Sequence, residues 1–325
     1  MRAFLILLSA AALAGCETLS YYGQAASGQL AISARARPVA RVLADADASP
    51  ALKARLRTAA QMRDYATREL GLPDDGAYRS YASLDRPYVL WNVVAAPEFS
   101  LEPVQSCFPI AGCVAYRGYY DRGDAQAHAA RQRAAGYDVA VYGVPAYSTL
   151  GWFDDPLLST FIDYPDAELA RLIFHELAHH VAYVKDDSTF NESFAVAVER
   201  EGLRRWRAAH GGGAEDASRR EAFLARVAET RARLEALYRS RLAPEEMRRR
   251  KREILEPLRP WLQRLRGFES AEPNNAVLAS FATYTQKVPA FERLLATVGG
   301  DLPRFYARVR ELARLPRAER DARLK

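Results

Sequence analysis

The sequence predicts an α+β fold: a small sheet, then a helix carrying the active site, then a predominantly helical C-terminal half. Three observations lead to it. Residues 87–148 hold short runs rich in Val, Tyr and Trp, punctuated by Pro and Gly. From Asp166 onward apolar residues recur at helical spacing. Finally, three of the chain's five histidines crowd into residues 175–180 beside Glu176. The first two observations set the order of the layers; the third says where chemistry concentrates.

Ahead of the fold, "MRAFLILLSAAALAGC" reads as an export signal. Arg2 supplies the positive start, Phe4 to Leu13 an apolar run of about ten residues, and "LAGC" a small-residue cleavage site ending at a cysteine. Such a run is too short to cross a bilayer as a helix, which needs roughly twenty residues. Residues 1–15 are therefore expected to be a lipoprotein signal and Cys16 the lipid-carrying first residue of the mature chain. Ordinary cleavage leaving an idle cysteine is the plainer alternative. By likeness to lipoproteins, Glu17 rather than Asp after that cysteine favours the periplasmic face of the outer membrane. Residues 16–38 would be the lipidated N-terminus and a linker, and 39–325 a single domain, with the sheet in 39–165 and the helical part in 166–325. Cys107 and Cys113, separated by "FPIAG", suit a disulfide in an oxidising compartment or two buried thiols; nothing near them forms a four-ligand zinc knuckle.

With 49% hydrophobic and 26% charged residues the composition is that of a globular protein with ample core. A net charge of +6 invites a nucleic-acid reading, but the excess lies in helical-looking segments such as "EEMRRRKREILEPLRPWLQRLR" (245–266), where a solvated helix face explains it. No nucleic-acid partner is expected, and for an exported protein any functional use of that stretch would be contact with anionic lipid.

Residues 39–70 carry apolar positions at helical spacing and stop at "GLPDDG", giving one or two helices. Segments 87–99, 113–120 and 137–148 read as strands of one small sheet. Between the last two, 122–137 reads as a short helix closing on Gly136, with His128 on the surface. "HGGG" (210–213) caps a helix ahead of the charged helices at 219–242 and 301–315.

Residues 165–184 are predicted as a helix, with Pro165 fit for its first turn and Asp166 and Glu168 near its positive end. His175 and His179, four apart, then share one face, and two such nitrogens can hold one zinc ion at roughly 2.0–2.1 Å each. Glu176 stands beside them without being a ligand; this is the H-E-x-x-H pattern, in which the glutamate acts as general base. A catalytic zinc takes a third protein ligand. The first helix would run five residues past His179, about 7.5 Å, and Glu192 would lie about 4.5 Å into a returning helix opening near Thr189. Antiparallel packing then brings Glu192 level with the histidines. His180 points away from His179 and is expected at the surface or as a support; Asn191 is expected to hold the turn; Glu199 either orients a ligand histidine or pairs in solvent with Arg204.

"HELAHH" followed by "NESFA" resembles the gluzincin kind of zinc metallopeptidase. Together with "APEFSLEP", "CFPIAGCVAYRGYYD", "YSTLGWFDDPLLSTF", "VKDDSTFNESFA" and "NNAVLASFATY", it resembles a family of bacterial lipoproteins described as putative aminopeptidases, over most of the mature chain. The resemblance implies a zincin-like fold, a zinc cofactor held by His175, His179 and Glu192, and a peptide or protein substrate. Two features depart from the larger aminopeptidase families: only twelve residues separate His179 from Glu192, and there is no G-x-M-E-N motif. In such chemistry Glu176 takes a proton from water and passes it to the leaving amine. The donor stabilising the transition state is Tyr284, in "NNAVLASFATY", or one of Tyr147, Tyr183 and His210. Substrate is expected to add to a sheet edge at 87–99 or 113–120, with Glu98 or Glu102 meeting its amino group. The rival expectation is a non-hydrolytic envelope lipoprotein, chaperone-like or a scaffold, with a structural or vestigial metal; the intact Glu176 argues for catalysis, because a structural site needs no base.

Overall fold

A computed structural model describes residues 20–108, 112–211, 215–282 and 286–324. Cys16 and Tyr284 lie outside them. In chain order, helix α1 (20–35) is followed by β1 (Arg37–Pro38), α2 (Val39–Ala44), α3 (Pro50–Arg68), β2 (Ser80–Ala82) and β3 (Leu90–Ala96). Next come β4 (Ser106–Phe108), β5 (Gly112–Val114), β6 (Arg117–Tyr119), α4 (Arg122–Ala134), β7 (Asp138–Val144) and β8 (Leu157–Leu158). The rest is helical: α5 (Asp166–His179), α6 (Ser188–His210), α7 (Glu215–Tyr238), α8 (Pro244–Leu255), α9 (Arg259–Leu262), α10 (Asn275–Ala282), α11 (Val288–Thr297), α12 (Leu302–Ala313) and α13 (Arg317–Arg323). The chain is α+β.

Of the segments expected as strands of one sheet, 87–99 and 137–148 become β3 and β7, whereas 113–120 splits into β5, which pairs with β4 in a separate hairpin, and β6; one antiparallel sheet runs in the order β6-β3-β7. Side chains alternate across a strand, so Val93 and Ala95 join the core under α4, while Val94 and Ala96 join the core built with α7, α8 and α10. Burial on both faces explains why these strands read as continuous apolar runs rather than alternating ones. Because β3 is the central strand, residues 87–99 offer no free edge. At the β6 edge, Gln24 of α1 donates to the Gly118 carbonyl at 3.4 Å and accepts from the Tyr120 amide at 3.0 Å. Strand addition there, as the sequence suggested, is therefore blocked.

Two further expectations change. Within 16–38, expected as the lipidated N-terminus and a linker, residues 20–35 form α1, which packs Ile32 into the main core and lays Tyr21 against Tyr119, with the Arg117 guanidinium 4.1 Å from the Tyr21 ring. His128 is buried, because it lies between Ala125 and Ala129 on the face that α4 turns to the sheet, with its ring 5.6 Å from Tyr119. Cys107 and Cys113 face each other across the β4–β5 hairpin and are joined by a disulfide. The short strands β1, β2 and β8 form a second small sheet.

Helices α5 and α6 pack against each other at the centre of the largest core, with α3, α11 and α12 around them. α5 buries Leu169, Ile173, Phe174 and Leu177; α6 buries Phe190, Phe194, Ala197 and Val198. α5 ends at His179, five residues earlier than its sequence pattern suggested. The Asn191 side chain donates to the Val184 carbonyl and accepts from the Val184 amide, both at 2.8 Å, taking the backbone groups a continuing helix would have used. Asp186 adopts a left-handed φ of 66°, and Asp187 then caps α6 by accepting from the Phe190 amide at 3.0 Å. At the other end of α6, Gly211 closes the helix with φ 79°.

Candidate metal centre

The return between α5 and α6 brings His175, His179 and Glu192 together. Their ligand atoms all lie within 4.8 Å of one another. Glu192 Oε2 is 3.2 Å from His175 Nε2 and 3.8 Å from His179 Nε2, and the three side chains are only 12, 7 and 16% exposed. Glu192 thus arrives where sequence spacing put it, although a turn rather than a longer helix makes the return.

Behind His175 stands a second layer. His175 Nδ1 is 2.8 Å from Glu199 Oε2, and since a carboxylate only accepts, that nitrogen carries the proton and Nε2 is the atom left to face Glu192. Arg171, one helical turn before His175, reaches Glu199 at 3.3 Å and Glu168 at 2.8 Å; Arg220 of α7 lies 3.8 Å from Glu199. Glu199 is therefore a buried positioning group, and Arg204 pairs with Glu201 instead. Arg171 was missed in the sequence, although its i−4 spacing from His175 marks it as a neighbour on the same face.

The electrostatics follow from this packing. Burial alone would discharge His175, but its hydrogen bonds to Glu192 and Glu199 outweigh that and push its pKa up. His179, buried without such a bond, is pushed down to about 4, so its ring is neutral and has a lone pair to give. Burial is the largest influence on Glu192 as well and opposes its charge, yet the two histidines hold its pKa below the usual range. Glu199 is pulled down to about 2: against burial, Arg171 and His175 favour its ionised form. Two imidazoles and an ionised carboxylate converging in a buried site make a donor set that fits zinc, with room for the His175 proton to give way to a cation. His179 Nδ1 is buried with no hydrogen-bond partner among the described residues.

Glu176 sits on the neighbouring face of α5. Burial, reinforced by the charges of Glu192 and Asp155 and opposed by His175, raises its pKa to about 7. His180, four residues on, is neither exposed nor free: Nδ1 lies 2.7 Å from Asp75 Oδ2 and Nε2 3.1 Å from Ser148 Oγ. Asp155 is likewise pushed up by burial, to about 6, and its backbone carbonyl accepts the Tyr78 amide at 2.7 Å. Tyr78 is buried with a left-handed φ of 61°, uncommon for a bulky side chain; after burial, the Glu176 charge does most to hold its hydroxyl protonated. Tyr116 is held protonated in the same way, by burial and then by Glu192. Neither tyrosine is marked by a motif in the sequence, because both come from loops distant in the chain from α5 and α6.

Of the other expected residues, Tyr183 feels the Glu192 charge. Tyr147 does not serve the centre: its hydroxyl is bound to the Tyr120 hydroxyl at 2.6 Å and to Gln29. His210 stacks on Trp206 at 3.7 Å, about 27 Å along α6 from Glu192. Glu98 is clamped by Arg248 at 2.6 Å, and Glu102 is exposed on the loop after β3; neither joins the centre.

A protein-family model described as "Putative aminopeptidase" matches residues 20–324. The chain belongs to this family. Its description suggests peptidase activity. The match begins at the first residue of α1, inside the segment expected as a linker. No curated protein and no solved structure matches the chain.

Proposed function

We propose that the protein is a zinc-dependent peptidase of zincin-like architecture, with His175, His179 and Glu192 holding the metal and Glu176 as general base. The observation that carries this reading is the convergence of those three donors beside a carboxyl whose pKa sits near neutrality. When bound, zinc supplies a Lewis acid that polarises a peptide carbonyl and acidifies water. The chain's own residues do the rest. Glu176 removes the proton from the attacking water and delivers it to the leaving amine; burial, which raises its pKa, favours a carboxyl that both takes up and releases a proton. Glu199 fixes the His175 tautomer, and Arg171 keeps Glu199 ionised. Tyr78 and Tyr116, kept protonated, can each donate to an oxyanion; Tyr284 and Tyr183 are the alternatives from sequence. The family description supports an aminopeptidase. The signal-like segment ending at Cys16 supports a lipid-anchored protein at the periplasmic face of the outer membrane.

The test compares peptide cleavage by wild type and Glu176→Gln at equal zinc content. Loss of a general base should lower kcat by about 10²–10⁴. Equal rates would reject hydrolysis through Glu176 and favour a scaffold or chaperone-like protein. Cys16→Ser should free the protein from membranes, and continued co-fractionation would argue against acylation.

A further inference from the structure

The loop between β7 and β8 touches His180, at the C-terminal end of the helix that carries Glu176. Ser148 Oγ meets His180 Nε2 at 3.1 Å, and His180 stands one helical turn, about 6 Å, beyond Glu176. The Thr149 amide donates to Asp155 Oδ2 at 2.7 Å, and the Thr149 hydroxyl bonds both the amide and the carbonyl of Phe153 at 3.1 Å. Left-handed residues Leu150 (φ 57°) and Gly151 (φ 79°) turn the chain between these anchors, and a side chain added at Gly151 would meet His180 Nδ1 at 3.9 Å. The loop is thus pinned at both ends and across its middle. At its tip Trp152 is 69% and Phe153 50% exposed, whereas the other large exposed apolar residues among those described, Tyr22, Leu30 and Val104, are scattered singly.

Adjacent exposed aromatics on a braced turn mark a binding surface rather than misplaced core. The surrounding charge limits what can bind. Asp154 follows the pair and is exposed, its carboxylate packed against Gly76, and it forms no ion pair among the described residues; Asp75 is already paired with His180 and Arg63, and Asp155 is buried. An apolar tip that ends on an exposed carboxylate suits the ammonium end of a peptide better than an anionic lipid surface. We propose that Trp152 and Phe153 form the subsite for a bulky apolar side chain at the amino end of the substrate peptide, with Asp154 supplying charge complementarity to the free amine. This rests on the peptidase reading of the adjoining centre.

The experiment measures kcat/KM of wild type, Trp152→Phe and the double variant Trp152→Ala/Phe153→Ala on leucyl and alanyl peptides of otherwise identical sequence, with zinc content as the control for folding. The leucyl-to-alanyl preference should fall about tenfold or more in the double variant, the range typical of an apolar pocket contact, and be largely kept in Trp152→Phe. An unchanged preference in the double variant overturns the inference while leaving the peptidase reading intact. If wild type cleaves neither peptide, the peptidase reading is judged by its own test, and the subsite by leucyl-peptide binding to the uncleaving protein: loss of binding in the double variant supports it, no change overturns it. Vesicle association of the Cys16→Ser protein that disappears in the double variant would also overturn it, by assigning the tip to lipid.

Discussion

Two charged regions of the molecule use the same residue types to opposite ends. Behind His175, Arg171 and Glu199 form a buried pair, joined by Glu168 and Arg220, with Glu199 only 2% exposed. Along α8, Arg249 spans Glu246 and Glu253 while Arg250 also reaches Glu246, all on a solvated face. The α8 ladder has more close ion pairs, yet water competes for every one of them and each long side chain must be ordered. The buried pair has fewer alternatives, so each of its members fixes a geometry. Counting salt bridges would therefore rank the two regions in the wrong order. Under the proposed function the charges that matter are those behind the candidate metal centre, and the Arg-rich stretch that dominates the net charge is not among them.

The sharpest way to break this contrast is Glu199→Ala. It should weaken zinc retention about 10–100-fold, measured by competition with a chelator, because His175 loses the acceptor that sets its tautomer. Unchanged retention would make Glu199 merely structural. Arg171→Leu should come next, costing up to about 3 kcal/mol in denaturant unfolding, since it takes the nearest guanidinium from the buried Glu199 carboxylate and leaves it only His175 and Arg220. Asp155 offers a smaller effect with a definite sign. Burial raises its pKa to about 6 against an unfolded value of about 3.9. The folded chain holds that proton more tightly, so this group's contribution is full below about pH 4 and lost as pH rises through about 6, at most about 2–3 kcal/mol. Asp155→Asn should flatten the stability profile between those limits, and an unaltered profile would remove Asp155 as its source. Arg249→Ala should be the quietest, with no measurable change in Tm or zinc retention. A clear loss of either would erase the distinction drawn between the two regions.

Legibility in the sequence followed the range of the interactions. The sheet strands, α4 and the start of α5 were legible because periodicity and capping are local. Glu192 was legible for a similar reason: a twelve-residue return between two apolar-striped helices leaves little choice of level, and it survived an error of five residues in the end of α5. That error came from Asn191, whose capture of the Val184 backbone depends on the folded turn. Tyr78 and Asp155 reach the centre from other segments, held by the backbone bond between them, and no local pattern announces such a bond. His128 was misjudged because one polar residue between two buried alanines looks the same in sequence whether its helix faces water or a sheet. Strands β1 and β8, two residues each, are too short to carry any period.

The account depends most on a cation held by His175, His179 and Glu192. Elemental analysis of zinc-repleted, gel-filtered protein tests it directly. One zinc per chain in wild type and a marked loss in Glu192→Ala are the predicted results. A wild type without zinc, or a Glu192→Ala protein that retains zinc as well as wild type does, would contradict it.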